Sequence, residues 1–499
     1  MIQLIRSRVL TGLVAHEVVV ECNVGAGLPR TTIVGLAESA VRESRDRVAA
    51  AIQNSGFYYP DGAITINLAP GTLAKSSSAL DLPIALSILA ATRQVNTKAL
   101  AAYEWLGELA LSGSVRPVVG ALACAQAAAL AQRIAILPDD AGSELGWFDK
   151  GEVGVVASLL EAATVLNEGC YRTSTCTAPS LGTTRSIYSD IVGQLPAKQA
   201  LQVAAAGGHH FLMVGPPGGG KTMLARALAE LLPPLTHAQQ IEVAIIYSCS
   251  GLPCPRGRPF REPHHSASSP ALLGGGRIPQ PGDAVLAHHG VLFLDELPHF
   301  KPSVLDHLRE PLEAGKTMIS RANYKVHYPC SFQLVAAMNP CPAGRTCKES
   351  ACRCAPGQVR RYQARISGPM VDRIDLQVMV PEVPQALLTQ AHEAPANIQS
   401  LKQTIERAYS SQIQRQGNCN ARLDAGTIHT EIRNTRIGPS LKRTLEKKVQ
   451  SARSLHKVWK VARTIADLDD ARHIGEPHVI KALSFRTINW EDGLEVGLR

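Results

Sequence analysis

Phe211-Leu-Met-Val214 is a short apolar run that leads directly into Gly215-Pro216-Pro217-Gly218-Gly219-Gly220-Lys221-Thr222, and Met223 to Leu232 then reads as a helix. This is G-x-x-x-x-G-K-T with a strand before it and a helix after it, the context that separates a phosphate-binding loop from a chance Gly/Pro turn. The glycines let backbone N–H groups close around phosphates, and the helix N-terminus adds positive potential. Lys221 is predicted to reach the β- and γ-phosphates, and the Thr222 hydroxyl to ligate Mg²⁺. A chain built around such a loop needs a parallel α/β core, so an α/β fold class follows.

Two more apolar runs supply the remaining chemistry. Val291-Leu-Phe-Leu294 ends in Asp295-Glu296, about 70 residues after the loop. A buried strand that delivers two carboxylates to its C-terminal edge places Asp295 toward the metal and leaves Glu296 to orient and deprotonate the attacking water. Gln333 to Met338 is a third strand, ending in Asn339, a polar group suited to sensing the γ-phosphate. Hydrolysis of ATP with Mg²⁺ is the expected chemistry.

The 499 residues leave room for about three domains. Residues 1–166 read as a mixed α/β unit: Val14 to Val24 and Ile64 to Leu68 favour strands, Val41 to Asn54 an amphipathic helix stopped at Gly56, and Leu80 to Thr92 and Gly120 to Gln132 buried helices. Residues 167–189 turn to Gly, Ser, Thr and Pro and read as a linker. Residues 190–384 hold the P-loop core, and 385–499 are almost purely helical, as in Leu441 to Asp470. Apolar residues make up 45% and charged residues 19%, which excludes a fibrous or largely disordered chain. No run of 18 uncharged apolar residues occurs and nothing reads as a signal peptide, so no membrane partner and a cytoplasmic address are expected. The +9 net charge divides as −3 over residues 1–190, +5 over 191–400 and +7 over 401–499. A basic C-terminal half fits a polyanionic partner and equally fits a simple solubility bias.

Cys341, Cys347, Cys352 and Cys354 fall within 14 residues after the third strand. Four thiolates at this spacing can close a structural zinc site; unliganded reduced thiols and a redox role are the other readings, and Cys330 is a competing ligand. Gly315 to Tyr328 reads as a basic β-hairpin carrying Arg321, Tyr324 and Lys325, which could meet phosphates and stack on a base, or form a plain edge ribbon. Pro259 to Asp283, rich in Gly, Pro and His, is too irregular for core.

These motifs together resemble a AAA+ ATPase of the magnesium-chelatase-like clade. R-P-F-R-E-P-H-H-S-A-S at 258–268, G-G-G-R-I-P-Q-P-G-D at 274–283, S-G-P-M-V-D-R-I-D-L at 367–376 and V-A-R-T-I-A-D-L at 461–468 are similar to the bacterial ComM/YifB family. G-L-P-R-T-T-I-V-G-L at 27–36 and I-N-L-A-P at 66–70 extend the resemblance through the N-terminal part. The resemblance implies a homo-hexameric, ATP-driven translocase on single-stranded and branched DNA, a helicase that drives branch migration as transforming DNA is integrated by homologous recombination. It also implies an N-terminal Lon-protease-like (ribosomal S5 domain 2-like) domain and a C-terminal helical lid around the AAA+ core. Arg373 matches an arginine finger acting on a neighbouring protomer, with a local ion pair to Asp372 or Asp375 as the plain alternative, and Arg463 matches the second sensor on the lid. In the family a C-x-C-G pair precedes a C-x-C pair; here Ala343 replaces the second cysteine of the first pair, and Cys347 either substitutes for it or the site is degraded. A Lon-type Ser/Lys dyad would place Ser78 as nucleophile, but Gly107 to Ala129 contains no lysine and Leu122 stands where one is needed, so peptidase activity is not expected. A metal-chelatase subunit or a protein-remodelling ATPase that does not translocate DNA is the rival reading.

Overall fold

The computed structural model describes residues 3–36, 38–75, 77–174, 186–277, 279–321, 324–344, 354–384, 398–448, 451–486, 488–489 and 495–496. The chain divides into two compact units. One comprises residues 1–181, 236–256 and 320–326, and the other 182–235, 257–319 and 327–499. Among the described residues no helix is long and apolar enough to cross a membrane.

The first unit is a mixed α/β layer. Its eight-stranded sheet joins the antiparallel pair Gln3–Thr11 and Val14–Gly25 to the strands Ala63–Ala69 and Arg30–Val34 on one side. On the other side lie Tyr103–Trp105, Ile134–Pro138, Val153–Val156 and Arg172–Thr173. Ser39–Asn54 is the expected amphipathic helix: Val41, Val48, Ala51 and Ile52 point into the core, and Gly56, at φ +81°, lets the chain turn away. Asp81–Ala91 is apolar on every face and buried over almost its whole length. Its Ser87 hydroxyl donates to the Ile84 carbonyl, so no polar group is stranded.

Two boundaries differ from the sequence expectation. The composition change at Asn167 marks the end of the helix Leu159–Glu168, closed by Gly169, and Arg172–Thr173 then adds an edge strand to the first sheet. Of the expected linker, 175–185 lie outside the described residues, and Ile187–Asp190 is already a short helix with Tyr188 buried in the second core. The helix His237–Cys249, inside the stretch expected to be P-loop core, belongs instead to the first unit. There it packs on Ala121–Leu130, where the Gly120 and Leu122 N–H groups donate to the Ser248 carbonyl and hydroxyl. Its periodicity shows a helix but not which core receives it.

The second unit is built on a five-stranded parallel sheet. Its order is Phe260–Arg261, Val291–Leu294, Gln333–Met338, Phe211–Val214, Leu376–Met379. Parallel strands covered on both faces read as unbroken apolar runs, and all of Phe211 to Val214 and Val291 to Leu294 are fully buried. Val214 is level with Met338 and with Met379, and Leu294 with Ala336. The residues that follow these strand ends therefore emerge along one edge of the sheet. Pro259 to Asp283, expected to lie off the core, contributes the edge strand Phe260–Arg261, and Leu272 within it is fully buried.

Among the described residues, five helices follow the sheet in the second unit: Ile398–Gln416, Ala425–Asn434, Pro439–Lys448, Ala452–Leu468 and Glu476–Ser484. They share one hydrophobic cluster with the P-loop sheet through Ile405, Ala408, Val458, Trp459 and Ile465. A buried polar knot runs through this contact. The Asp375 carboxylate is held by Lys457 at 2.6 Å, while His209 sits between Asp375 at 3.4 Å and the Thr464 hydroxyl at 2.7 Å. Burial pushes the Asp375 carboxyl up, but Lys457, His209 and the neighbouring His210 outweigh it and hold the group well below the usual carboxylate range.

Candidate functional site

The sheet edge gathers the predicted nucleotide residues. Gly215 follows Val214 so closely against the next strand's continuation that a Cβ there would lie 2.0 Å from the Val380 carbonyl oxygen, so only glycine fits. Beyond it Gly218 and Gly220 take φ of +78° and +81° and face open space, which leaves the outer side of the loop clear. Lys221 begins the helix Lys221–Leu231. Its Nζ donates to the carbonyls of Gly215 and Pro216, both at 2.8 Å, and to Asn339 Oδ1 at 3.2 Å. These are three uncharged oxygens. Burial pushes the Lys221 ammonium below the ordinary lysine range, with Asp295 and Glu296 opposing that shift.

Thr222 and the residue after the strand end at Leu294 meet at the sheet edge. The Thr222 hydroxyl donates to Asp295 Oδ2 at 3.2 Å, and Asp295 Oδ1 accepts the Glu296 N–H at 2.8 Å. Glu296 itself sits in the left-handed region at φ +51°, a conformation that turns its side chain out of the strand line and costs of order 1 kcal/mol or more for a non-glycine residue. A half-exposed Glu296 carboxylate lies 3.5 Å from His265 Nδ1. The donor set fits a magnesium–nucleotide: a cation whose bonds are all to neutral oxygens, a hydroxyl and carboxylate in contact, and a glycine cradle with open space above it.

Several neighbours carried no sequence signal of their own. His265 stacks at 4.1 Å on His264 and meets His299 edge-on at 5.8 Å; His299 in turn meets Tyr362 at 6.0 Å. The Asn339 N–H bonds to the Tyr362 hydroxyl, and burial pushes that phenol up to about 12. The strand ending at Asn339 and the Glu296 side are thus joined by ring contacts from residues far apart in sequence. The two adjacent histidines of E-P-H-H were the visible trace of this.

Other predicted residues are placed elsewhere. Arg373 does not pair with Asp372 or Asp375; its guanidinium bonds Glu313 at 2.7 Å and the Pro369 carbonyl at 2.7 Å. Arg463 is almost wholly buried on the helix Ala452–Leu468, bonded to Asp467 at 2.7 Å and to the carbonyls of Ala471 and Arg472. No described contact joins it to Lys221, Asp295 or Asn339, because an i,i+4 carboxylate and two helix-end carbonyls satisfy the guanidinium locally. Cys341 is fully buried and Cys354 half-buried, with their sulfurs 3.9 Å apart, whereas Cys347 and Cys352 lie outside the described residues. Cys330 is buried among apolar atoms, which push its thiol up to about 12. Lys316–Arg321 and Tyr324–Pro329 form the two-stranded ribbon read from the sequence; Arg321 and Lys325 are exposed, and the Tyr324 hydroxyl lies 3.5 Å from the Glu38 carboxylate. In the first unit Ser78 donates to the Glu108 carboxylate, and Lys75 is fully buried with its ammonium on the carbonyls of Gly35, Leu68 and Pro70.

Comparison with known proteins shows the family. The family described as magnesium chelatase, subunit ChlI, matches residues 187–388; the related descriptions for subunit ChlI of Mg-chelatase and for the ChlI C-terminal region match 20–141 and 396–486. The chain is 42% identical to YifB of Escherichia coli, covering 98% of this chain and 97% of that protein. It is 40% identical to the competence protein ComM of Haemophilus influenzae, covering 97% of each. The 67 kDa magnesium-chelatase subunit of Chlorobaculum parvum is 29% identical over 31% of this chain and 23% of its own length. Near-complete coverage at this identity, over an α/β core with the P-loop set at one sheet edge, makes the chain a member of the ComM/YifB family of magnesium chelatase-like proteins.

Proposed function

We propose that the chain is an ATP-hydrolysing DNA translocase, working as a homo-hexamer in the cytoplasm to drive branch migration while transforming DNA is integrated by homologous recombination. One observation carries the reading: Lys221, the Thr222–Asp295 pair, Glu296 and Asn339 converge on one edge of a parallel sheet. A relative bearing the name competence protein, matched over 97% of its length, supports the biological setting. The basic share of the charge over residues 191–499 supports a nucleic-acid partner.

The chain's own groups then divide the work. The loop N–H groups of Gly218 to Gly220 cradle the phosphates, and Lys221 exchanges its carbonyl partners for phosphate oxygens. Bound Mg²⁺, held through Thr222 and Asp295, supplies charge neutralisation of the β- and γ-phosphates. Glu296 Oε takes a proton from the attacking water, and Asn339 Oδ1 or its amide orients that water against the γ-phosphate. Arg373 reaches a neighbouring protomer's nucleotide, and Arg463 serves as second sensor after exchanging Asp467 for phosphate. Arg321, Tyr324 and Lys325 hold the DNA backbone and a base. The Lon-like fold is assigned to the first unit, with the helix His237–Cys249 included, the AAA+ core to the five-stranded sheet of the second unit, and the helical lid to the helices from Ile398 onward. The 3.9 Å between Cys341 and Cys354 sulfurs matches the ~3.8 Å that two thiolates of one tetrahedral zinc would span at about 2.3 Å each, so the cysteine cluster is assigned structural Zn²⁺.

A second reading, a metal-chelatase-type or protein-remodelling ATPase without DNA translocation, is favoured by the ChlI description matching residues 187–388. Turnover of purified protein with single-stranded DNA, forked DNA, unfolded protein or no addition separates the two. DNA stimulation together with ATP-dependent strand exchange on a three-strand junction is expected. Turnover indifferent to DNA, without strand exchange, would reject the translocase.

A further inference from the structure

Seven side-chain nitrogen or oxygen atoms among the described residues are buried without a hydrogen-bond partner, and two of them are guanidinium Nε atoms, of Arg309 and Arg373. Both belong to one cluster in the second unit. Arg373, after the short helix Gly368–Val371, reaches Glu313 at 2.7 Å. Arg453, near the start of the lid helix Ala452–Leu468, bonds the same carboxylate oxygen of Glu313. Arg309 begins the helix that carries Glu313 one turn later, and its terminal nitrogen spans Asp306 at 2.8 Å and the Ser367 hydroxyl at 3.0 Å. Three guanidinium groups therefore share two carboxylates. An unsatisfied buried guanidinium N–H costs about 1–3 kcal/mol, and two in one over-positive cluster mark a site with donors to spare. Burial, together with the charges of Arg453 and Arg309, pushes the Arg373 guanidinium below its ordinary range, against the pull of Glu313. An added anion would bring acceptors and negative charge to this donor-rich cluster.

We propose that Arg309, Arg373 and Arg453 form a single oxyanion site for the terminal phosphate of a nucleotide bound by a second copy of the chain, with Glu313 as the counterion it displaces. This rests on the reading of Arg373 as a residue that acts across a subunit boundary, and it adds two residues and a counterion to that boundary. Planar guanidinium forks suit a phosphate's oxygens, and an incoming phosphate offers more acceptors than the one Glu313 carboxylate that Arg373 and Arg453 share. Arg453 gives the lid a share in sensing the neighbour's nucleotide. Arg309 fixes the Ser367 end of the loop that carries Arg373.

The test is complementation between dead protomers. Arg309→Gln, Arg453→Gln and Arg373→Gln are each assayed for binding of a fluorescent ATP analogue and for turnover, alone and mixed one to one with Glu296→Gln. Binding is expected to stay within a factor of about 3 of wild type, while turnover of each arginine variant falls about 10- to 1000-fold, as for removal of a transition-state donor. Glu296→Gln protomers carry intact arginines, so mixed rings contain competent interfaces in about one quarter of positions and turnover returns toward that fraction. If Arg373→Gln is rescued but Arg309→Gln and Arg453→Gln are not, or if these two keep wild-type turnover, the three-arginine site is overturned while the boundary reading stands. If Arg373→Gln is not rescued either, the boundary reading falls and takes this proposal with it. Normal basal turnover with weakened single-stranded DNA binding in Arg309→Gln and Arg453→Gln would assign the cluster to DNA phosphates and overturn the proposal. Retained thermal melting of the three variants guards against a folding defect.

Discussion

Two lysines in this chain have nearly the same hydrogen bonds and opposite uses. Lys75 in the first unit places its ammonium on the carbonyls of Gly35, Leu68 and Pro70 and is fully buried. Lys221 in the second places its ammonium on the carbonyls of Gly215 and Pro216 and on the Asn339 amide oxygen, and it is only partly buried. Neither has a carboxylate among its hydrogen bonds, and burial pushes both below the ordinary lysine range. The difference lies in what surrounds them. Lys75 ties two backbone segments together with no route outward, so its charge is structural. Lys221 sits beside a glycine loop open to solvent and near Asp295 and Glu296, so its neutral partners can be exchanged for a charged one. A buried cation on carbonyls is thus not by itself a site; access and exchangeable partners make it one.

The largest effect that would break this contrast is Lys221→Ala. Loss of the only loop cation should abolish nucleotide binding and with it all turnover, read as the disappearance of fluorescent-ATP binding at concentrations that saturate the wild type. Retained hydrolysis would mean that the phosphate charge is met elsewhere. Glu296→Gln is next: binding should persist, since the side chain makes no described hydrogen bond to the loop or to Lys221, while turnover falls at least about 100-fold for want of a base. Normal turnover would require another residue to activate the water, with His265, 3.5 Å from Glu296, the nearest candidate.

How far the sequence reveals these sites depends on how local their physics is. The P-loop, Asp295, Glu296 and Asn339 are legible because a buried parallel strand is an unbroken apolar run, and the residue that ends it must emerge at the sheet edge. Three such runs in register require that their polar ends meet. Arg373 and Arg463 show the limit. Spacing suggests Asp372 or Asp375 for the first, but its carboxylate is Glu313, 60 residues earlier, brought in by the tertiary fold. For Arg463 the i,i+4 Asp467 was visible in the sequence, yet only packing shows that Asp467 is also held by Arg415 and lies in a buried network. The helix His237–Cys249 is equally local in shape and non-local in address. Lys75 left no trace at all, since a lysine among serines gives no hint that three distant carbonyls will receive it.

Lys75→Met tests the structural half of the comparison. Removing the ammonium leaves the buried Leu68 carbonyl and the part-buried Gly35 and Pro70 carbonyls short of a donor, so stability should fall by about 1–3 kcal/mol, read from denaturant midpoints at unchanged slope. Fluorescent-ATP binding at the P-loop should be unaffected. A variant of wild-type stability would show that the carbonyls find water instead, and that the charge at Lys75 contributes little.

The smallest effect separates the two lysines by pH. Lys221 free of phosphate has a depressed pKa, and phosphate oxygens favour its charged form, so the bound state has the higher pKa. Above the free-state pKa, binding must then take up a proton, and affinity should decline with rising pH toward a slope of about one decade per unit until the bound-state pKa is passed. Below the free-state pKa the ammonium is already charged and contributes no slope. Lys221→Arg, with a guanidinium that stays charged throughout, should bind with less pH dependence between neutrality and pH 10, whatever its absolute affinity. Lys75→Met should reproduce the wild-type slope, because Lys75 meets no ligand. Equal profiles for wild type and Lys221→Arg would mean that Lys221 keeps its proton across the range, leaving access and partner exchange, rather than a shifted acidity, as what distinguishes it from Lys75.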